Sequence, residues 1–156
     1  MFKRTAFALL CFLGLSLPGG AANLATLAIT TAQSGQTGTI YQFRDGPPVN
    51  LILQGKFTYG SGGTSVDAWI QTTFDGGTTW CDLANFHFTT SSLQSIDAIQ
   101  GDASNAVACT NATLSANTYN NGIIGSQLRV KWTSVGTYAG NTTLAIDVQS
   151  RSRVVQ

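Results

Sequence analysis

The chain predicts an all-β domain, an antiparallel β-sandwich, and three observations carry that expectation. Apolar side chains recur at every second position in several separate runs, the period of a strand with one buried face. Gly, Asn, Asp and Pro cluster between those runs, where chain reversals need them. The composition also favours strands: 10% of residues are charged, all 7 acids are Asp, and Thr, Val and Gly abound. The 156 residues leave room for one such domain. A chain of this size buries roughly two thirds of its unfolded surface without help from a metal or cofactor.

Leu24–Thr31 and Thr37–Phe43 are expected as short strands around the turn-rich Gln33-Ser34-Gly35-Gln36. Arg44-Asp45-Gly46-Pro47-Pro48 is a break, because proline cannot donate to a ladder. Next, Val49, Leu51, Leu53, Phe57 and Tyr59 share one face, and Asn50, Gln54, Lys56 and Thr58 the other, with Ile52 as the exception. Gly60–Thr64 is a flexible loop. Val66, Ala68, Ile70, Thr72 and Phe74 then alternate with Asp67, Trp69, Gln71 and Thr73. Asp75-Gly76-Gly77 closes a hairpin, since glycine supplies the positive φ that tight turns need. The return strand, Thr79–Thr90, sets Trp80, Phe86 and Phe88 against Cys81, Leu83 and His87. Residues 91–125 show no sustained period and are expected as a long loop, in which a short strand or turn could hide. Two strands finish the domain: Leu128, Val130 and Trp132 face one way in the first, and Leu144, Ile146 and Val148 in the second, with a turn at Tyr138–Asn141. About seven strands with one-sided apolar faces need a second sheet to cover them, with a partly closed barrel as the alternative.

The first 22 residues read as a secretory signal peptide, leaving a single domain at 23–156. Lys3 and Arg4 precede the apolar Ala6–Leu17, and Gly20-Ala21-Ala22 offers small residues for cleavage. The competing reading is an uncleaved tethering helix, for which the run is short. Without this segment two cysteines remain, Cys81 and Cys109. In an exported protein such a pair suggests a disulfide, worth roughly 3–4 kcal/mol for a loop of about thirty residues. In a cytoplasmic protein they would be two buried thiols.

Catalytic constellations are missing from the pattern. His87 is the one histidine, flanked by Phe86 and Phe88 and facing away from them, which fits a surface residue better than a catalytic base. Asp67 and Asp75 are explained by strand solubility and turn formation rather than by paired-carboxylate chemistry. Two cysteines and one histidine without close spacing make a poor zinc site. Asp97, Asp102 and Asn105 offer oxygens for calcium but read better as solvated turn residues. The sequons at Asn111 and Asn141 are expected by chance in a chain so rich in Asn and Thr. A net charge of +1 gives no electrostatic footprint for nucleic acid. No enzyme activity and no cofactor are therefore expected.

Trp69 is the first candidate for a ligand or interface contact. Its strand turns it outward among Asp67, Gln71 and Thr73, where an aromatic ring stacks on sugars or anchors a partner. The competing and favoured reading packs it beneath the long excursion or against a neighbouring subunit. Tyr119 and Tyr138, in loops, are two further candidates.

Thr73-Phe74-Asp75-Gly76-Gly77-Thr78-Thr79-Trp80 resembles the Asp-box hairpin of sialidase-type repeats, with Thr for the usual leading Ser. That likeness implies a structural role for Asp75, Gly76, Gly77 and Trp80 and no hydrolysis. A wider stretch, Val66–Trp80 with Asp82-Leu83 and later Leu128-Arg129-Val130-Lys131-Trp132-Thr133, resembles small structural proteins of tailed bacteriophages. The resemblance runs from about Thr39 to Val148 and implies a homo-oligomeric virion component: a head decoration, head–tail or tail-associated subunit. Its expected partners are other virion proteins or copies of itself. The signal peptide departs from that pattern, and so does the cysteine pair. They leave open a misassigned gene start, a membrane-docking segment, or an exported adhesin or carbohydrate-binding module of the periplasm or cell exterior that meets a cell-surface glycan.

Overall fold

A computed structural model describes residues 21–102 and 107–151. Two antiparallel sheets pack face to face. The first orders β1 (Ala21–Ala28), β11 (Thr143–Arg151), β4 (Asn50–Thr58) and β8 (Leu93–Gln100). The second orders β2 (Gln33–Thr37), β9 (Gln127–Val135), β6 (Ser65–Thr73) and β7 (Cys81–Phe88), with β3 (Tyr41–Gln42) also paired to β9. A small ribbon of β5 (Ser61–Gly62) and β10 (Tyr138–Ala139) extends the loops at one end. The β-sandwich expected from the sequence is the fold observed.

The alternation read from the sequence produces the seam between the sheets. Leu51, Leu53 and Phe57 of β4 and Leu144, Ile146 and Val148 of β11 face Val66, Ala68 and Ile70 of β6, Leu128 and Val130 of β9, and Phe86 and Phe88 of β7. Each is at most 2% exposed. Full burial of an aliphatic or aromatic side chain contributes about 1.5–3 kcal/mol, so this seam holds the sheets together. Phe57 stacks on Phe88 with centroids 5.2 Å apart. The seam also explains the break in the β4 pattern at residue 55. A side chain on Gly55 would start 2.9 Å from the Phe86 ring and 3.0 Å from Phe88, so glycine leaves the space the two phenyl groups fill.

Several elements differ from the sequence reading. The expected turn at Gln33–Gln36 is strand β2, whose pairing with β9 shifts register between Gln33 and Gln36, with Gly35 at φ 60°. Thr37–Phe43 is correspondingly interrupted, and only Tyr41–Gln42 forms β3. β1 begins at Ala21, two residues before the expected mature start, and Ala21 and Ala22 pair with Gln149 and Val148. Residues 1–20, with most of the expected signal peptide, lie outside the described residues. Among the described residues no helix is long and apolar enough to cross a membrane. Phe74, assigned to the core face, is 61% exposed because β6 ends at Thr73 and the chain turns into the hairpin tip.

The largest correction concerns the long loop at 91–125. Its first part is the eight-residue strand β8, paired with β4 from Leu93↔Phe57 to Gln100↔Asn50. Its polarity is inverted at the centre: Asp97 lies on the same side as the buried Ile99, while Ile96 points outward and is 59% exposed. That inversion hides the strand from a search for apolar alternation.

Replacing Gly55 by Val is expected to overpack the seam and destabilise the protein by roughly 1–3 kcal/mol. Denaturant unfolding checks it, with a lowered midpoint and an unchanged slope as the outcome.

Candidate functional site

The outer face of the larger sheet holds the sequence candidate Trp69 among polar and charged side chains of three strands. β6 contributes Asp67, Trp69 and Gln71; β7 contributes Asp82, Asn85 and His87; β9 contributes Arg129 and Lys131. A bulge shapes this face. The β6–β7 register shifts between Ile70 and Gln71, so Ile70 pairs with Ala84 but Gln71 pairs with Asp82, which brings both polar side chains to the outer side.

The chain from 107 to 121 covers this face, and Asp82 holds it there. The Asp82 carboxylate is fully buried. It accepts hydrogen bonds from Gln71 Nε2 at 2.8 Å and from the backbone N–H groups of Ala112 (2.8 Å), Thr113 (3.0 Å) and Leu114 (3.2 Å). Three successive amides converging on one carboxylate form a small anion nest, here filled by the protein's own acid. Burial by itself raises this carboxyl, but the bonds from Gln71, Ala112 and Thr113 outweigh it and hold Asp82 below the usual range. Asn111 Oδ1 accepts from Gln71 Nε2 and from Lys131 Nζ, each at 3.0 Å, and Arg129 Nε donates to Gln71 Oε1 at 2.9 Å. Arg129 also lies 4.2 Å from the centre of the Trp80 ring.

Backbone pairing and a covalent bond complete the attachment. The Asp82 and Asn85 amides donate to Thr110 O and Thr118 O, and the Asn120 amide donates to Leu83 O. Cys81 and Cys109 are joined as a disulfide, with Cα atoms 4.7 Å apart across a separation of 28 residues. Such a bond constrains the unfolded chain by roughly 3–4 kcal/mol. The free edge of β7 is thereby covered.

The three aromatic candidates have different environments. Trp69 is half-buried under the covering segment, and its indole N–H donates to Leu114 O at 3.1 Å, beside Asn85 Nδ2 on the same oxygen at 2.8 Å. Tyr119 forms a bridge with Ala84 at the β7 edge and is 46% exposed. Tyr138, read as a loop residue and a candidate contact, is a core residue at 4% exposure. Its ring packs edge-on to Phe57 and occupies the space over Gly63. Trp69 lies beneath the covering segment, Tyr119 belongs to it, and Tyr138 is in the core, so the trio forms no common site.

His87 Nδ1 lies 2.8 Å from Asp67 Oδ1, a pairing across β6 and β7 that the sequence reading did not foresee. Register alone gives it, since the two residues are opposite in the ladder. A hydrolytic triad would need a nucleophile bonded to the other ring nitrogen, and no described hydroxyl or thiol makes that bond. No group of three metal-ligating side chains occurs among the described residues, and Asn105 of the calcium reading lies outside them.

The Asp75 hairpin is closed by its own side chains. Thr73 Oγ1 donates to Asp75 Oδ1 at 2.8 Å and accepts from the Gly77 amide at 3.0 Å. The Thr79 amide donates to both Asp75 oxygens, at 2.8 and 3.0 Å, and Trp80 Nε1 donates to Gly77 O at 2.8 Å. Gly76 and Gly77 take φ of 71° and 99°. The hydrogen bonds from Thr79, and then Thr73, pull the Asp75 carboxyl down to about 2 from 3.8.

No family model, no curated protein and no solved structure matches the chain.

Asp82→Ala is expected to leave the three loop amides without their acceptor and to cost about 3 kcal/mol or more. Hydrogen exchange at Ala112, Thr113 and Leu114 should accelerate well beyond the change at β4. For Asp75 the folded carboxyl is depressed, so its contribution is complete above about pH 4 and disappears as pH falls towards 2. An NMR titration of the Thr79 amide should therefore show its transition near pH 2, and Asp75→Asn should abolish it.

Proposed function

We propose that this protein is a non-enzymatic structural subunit of a phage or phage-like virion, acting as a head decoration, head–tail or tail-associated component. The observation that carries the reading is the likeness of Val66–Trp80 and Leu128–Thr133 to small structural proteins of tailed phages. Those residues lie on β6, on β9 and in the Asp75 hairpin, which are adjacent in the larger sheet. The polar groups of this sheet also support it. Gln71, Asp82, Asn111 and Arg129 bond one another and the loop backbone, a use of polar side chains that builds a rigid surface.

The second reading is an exported adhesin or carbohydrate-binding module. The Cys81–Cys109 bond favours it, because disulfides persist in oxidising compartments. Trp69 argues the other way: its N–H is engaged by Leu114 O and its ring is half covered.

Fractionation of an induced culture tests both. Mass spectrometry of gradient-purified particles should find the protein at a stoichiometry comparable with other particle proteins. Recovery from the periplasm or medium, with none in particles, would overturn the virion assignment in favour of the exported module.

A further inference from the structure

The four outer strands end the two sheets in different ways. β7 is covered by the 107–121 segment. β1 carries a register shift between Asn23 and Ala25, and β2 is five residues long and shifted between Gln33 and Gln36. Bulges, short strands and covering loops are the ordinary means of blunting a sheet edge. Among the described residues β8 has none of these over Leu93–Ala98, and the inward-turned Asp97 is the one blunting device it carries. Its pairing with β4 is unbroken over eight residues, and it contains no Lys, Arg or Pro.

The direction of its free hydrogen-bonding groups follows from its far end. The Gln100 amide donates to Asn121 Oδ1 at 2.9 Å, and Gln100 O accepts from the Gly122 amide at 2.7 Å, both away from β4. Along an antiparallel strand this direction alternates, so the N–H and C=O groups of Gln94, Ile96 and Ala98 also point out from the sheet. Ile96 is 59% and Leu93 49% exposed at this edge. On the inner side of the same strand, Asp97 Oδ2 is buried with no hydrogen-bond partner among the described residues.

We propose that β8 pairs antiparallel with β8 of a second copy of this chain, about a two-fold axis through Ile96, so that the two four-stranded sheets become one of eight. In this register the outward groups of Ile96 meet those of the partner's Ile96, and Gln94 meets the partner's Ala98, so every outward group from 94 to 98 is bonded. The inner side becomes complementary. Leu93 lies opposite the partner's Ile99, and Ser95 lies opposite the partner's Asp97 in a close, non-hydrogen-bonded pair, where its hydroxyl is a donor to the carboxylate that lacks one. Other self-pairings are poorer. An axis through Asp97 opposes two like charges and directs Gln94 at the already bonded Gln100, while an axis through Ser95 opposes Asp97 to Leu93. Burial within one copy holds the Asp97 carboxyl above its usual value, in keeping with its missing donors. The inference goes beyond the virion assignment and stands on the β8 edge alone.

Sedimentation equilibrium of the purified full chain should report a dimer. Ile96→Lys should make it monomeric with an unchanged circular dichroism spectrum, and Ser95→Ala should weaken association roughly tenfold. A second set of variants reads the register. Residues paired on the axis have Cα atoms about 5.5 Å apart, within disulfide range. Ile96→Cys should therefore cross-link two chains under oxidation, above the level of the unsubstituted protein, whereas Gln94→Cys alone should not. A monomer at every accessible concentration, a dimer mass unaffected by Ile96→Lys, or equal cross-linking by the two cysteine variants would each overturn the proposal. Particle mass spectrometry separates this from the virion role: protein present in particles but monomeric in solution, with no Ile96→Cys cross-link even in particles, overturns only the β8 pairing.

Discussion

The structure depends on a constraint at β7: a strand buried on both faces must find partners for the charge it carries, even though Asn85 Oδ1 beside it has none among the described residues. One face meets the seam through Phe86 and Phe88. The other meets the 107–121 segment, which leaves Asp82 and Asn85 with no access to water. An isolated buried carboxylate would be prohibitively costly, so the covering segment presents three backbone amides in succession and Gln71 supplies a fourth donor. The turn of that segment at Ala112–Leu114 is thus set by one charge. The positive φ of Ala112, 58°, belongs to the same demand, since the backbone has to curl for neighbouring amides to point at one group.

The disulfide and the carboxylate act on different states of the chain. Cys81–Cys109 shortens the excursion available to the unfolded polypeptide, whereas Asp82 selects one arrangement of it once folded. They are adjacent in sequence, and the contrast explains why both are needed. The covalent bond fixes where the segment returns to the sheet but leaves its backbone free to rotate; the nest fixes rotation. Trp69 benefits from both, because its indole N–H requires a carbonyl at a defined place and Leu114 O is that carbonyl.

Much of this was legible from residues, and what escaped has specific physical causes. The hairpin at Asp75 and the outward turn of Trp69 follow from local rules, a two-glycine turn and a period of two. Asp82 escaped because Leu83 is an extra residue in β7, opposite the step from Ile70 to Gln71, so the β7 residues before it change face, and bulges leave little trace in a pattern of apolar positions. Tyr138 was misjudged because a turn motif places a residue in a loop without saying which way its ring points. Here the ring lies over Gly63 and closes one end of the core. β8 was missed because its central pair reverses the usual order of polarity, with isoleucine outside and aspartate inside.

That reversal has two opposite physical consequences. A charge turned inward on an outer strand is one of the ways proteins prevent their sheets from growing, since an arriving strand would bury it further without a partner. The same charge becomes a selector when one register alone supplies a hydroxyl opposite it. Every slipped pairing then leaves a desolvated carboxylate uncompensated, while the matched pairing gives a charge-assisted hydrogen bond on each side of the axis. Ser95 decides between these outcomes because it lies two residues from Asp97, the spacing that a two-fold axis through the residue between them requires. An alanine at 95 would make Asp97 purely a barrier. With serine there, the proposed pairing keeps the edge closed to indiscriminate pairing and opens it to one partner, the same strand in a second copy.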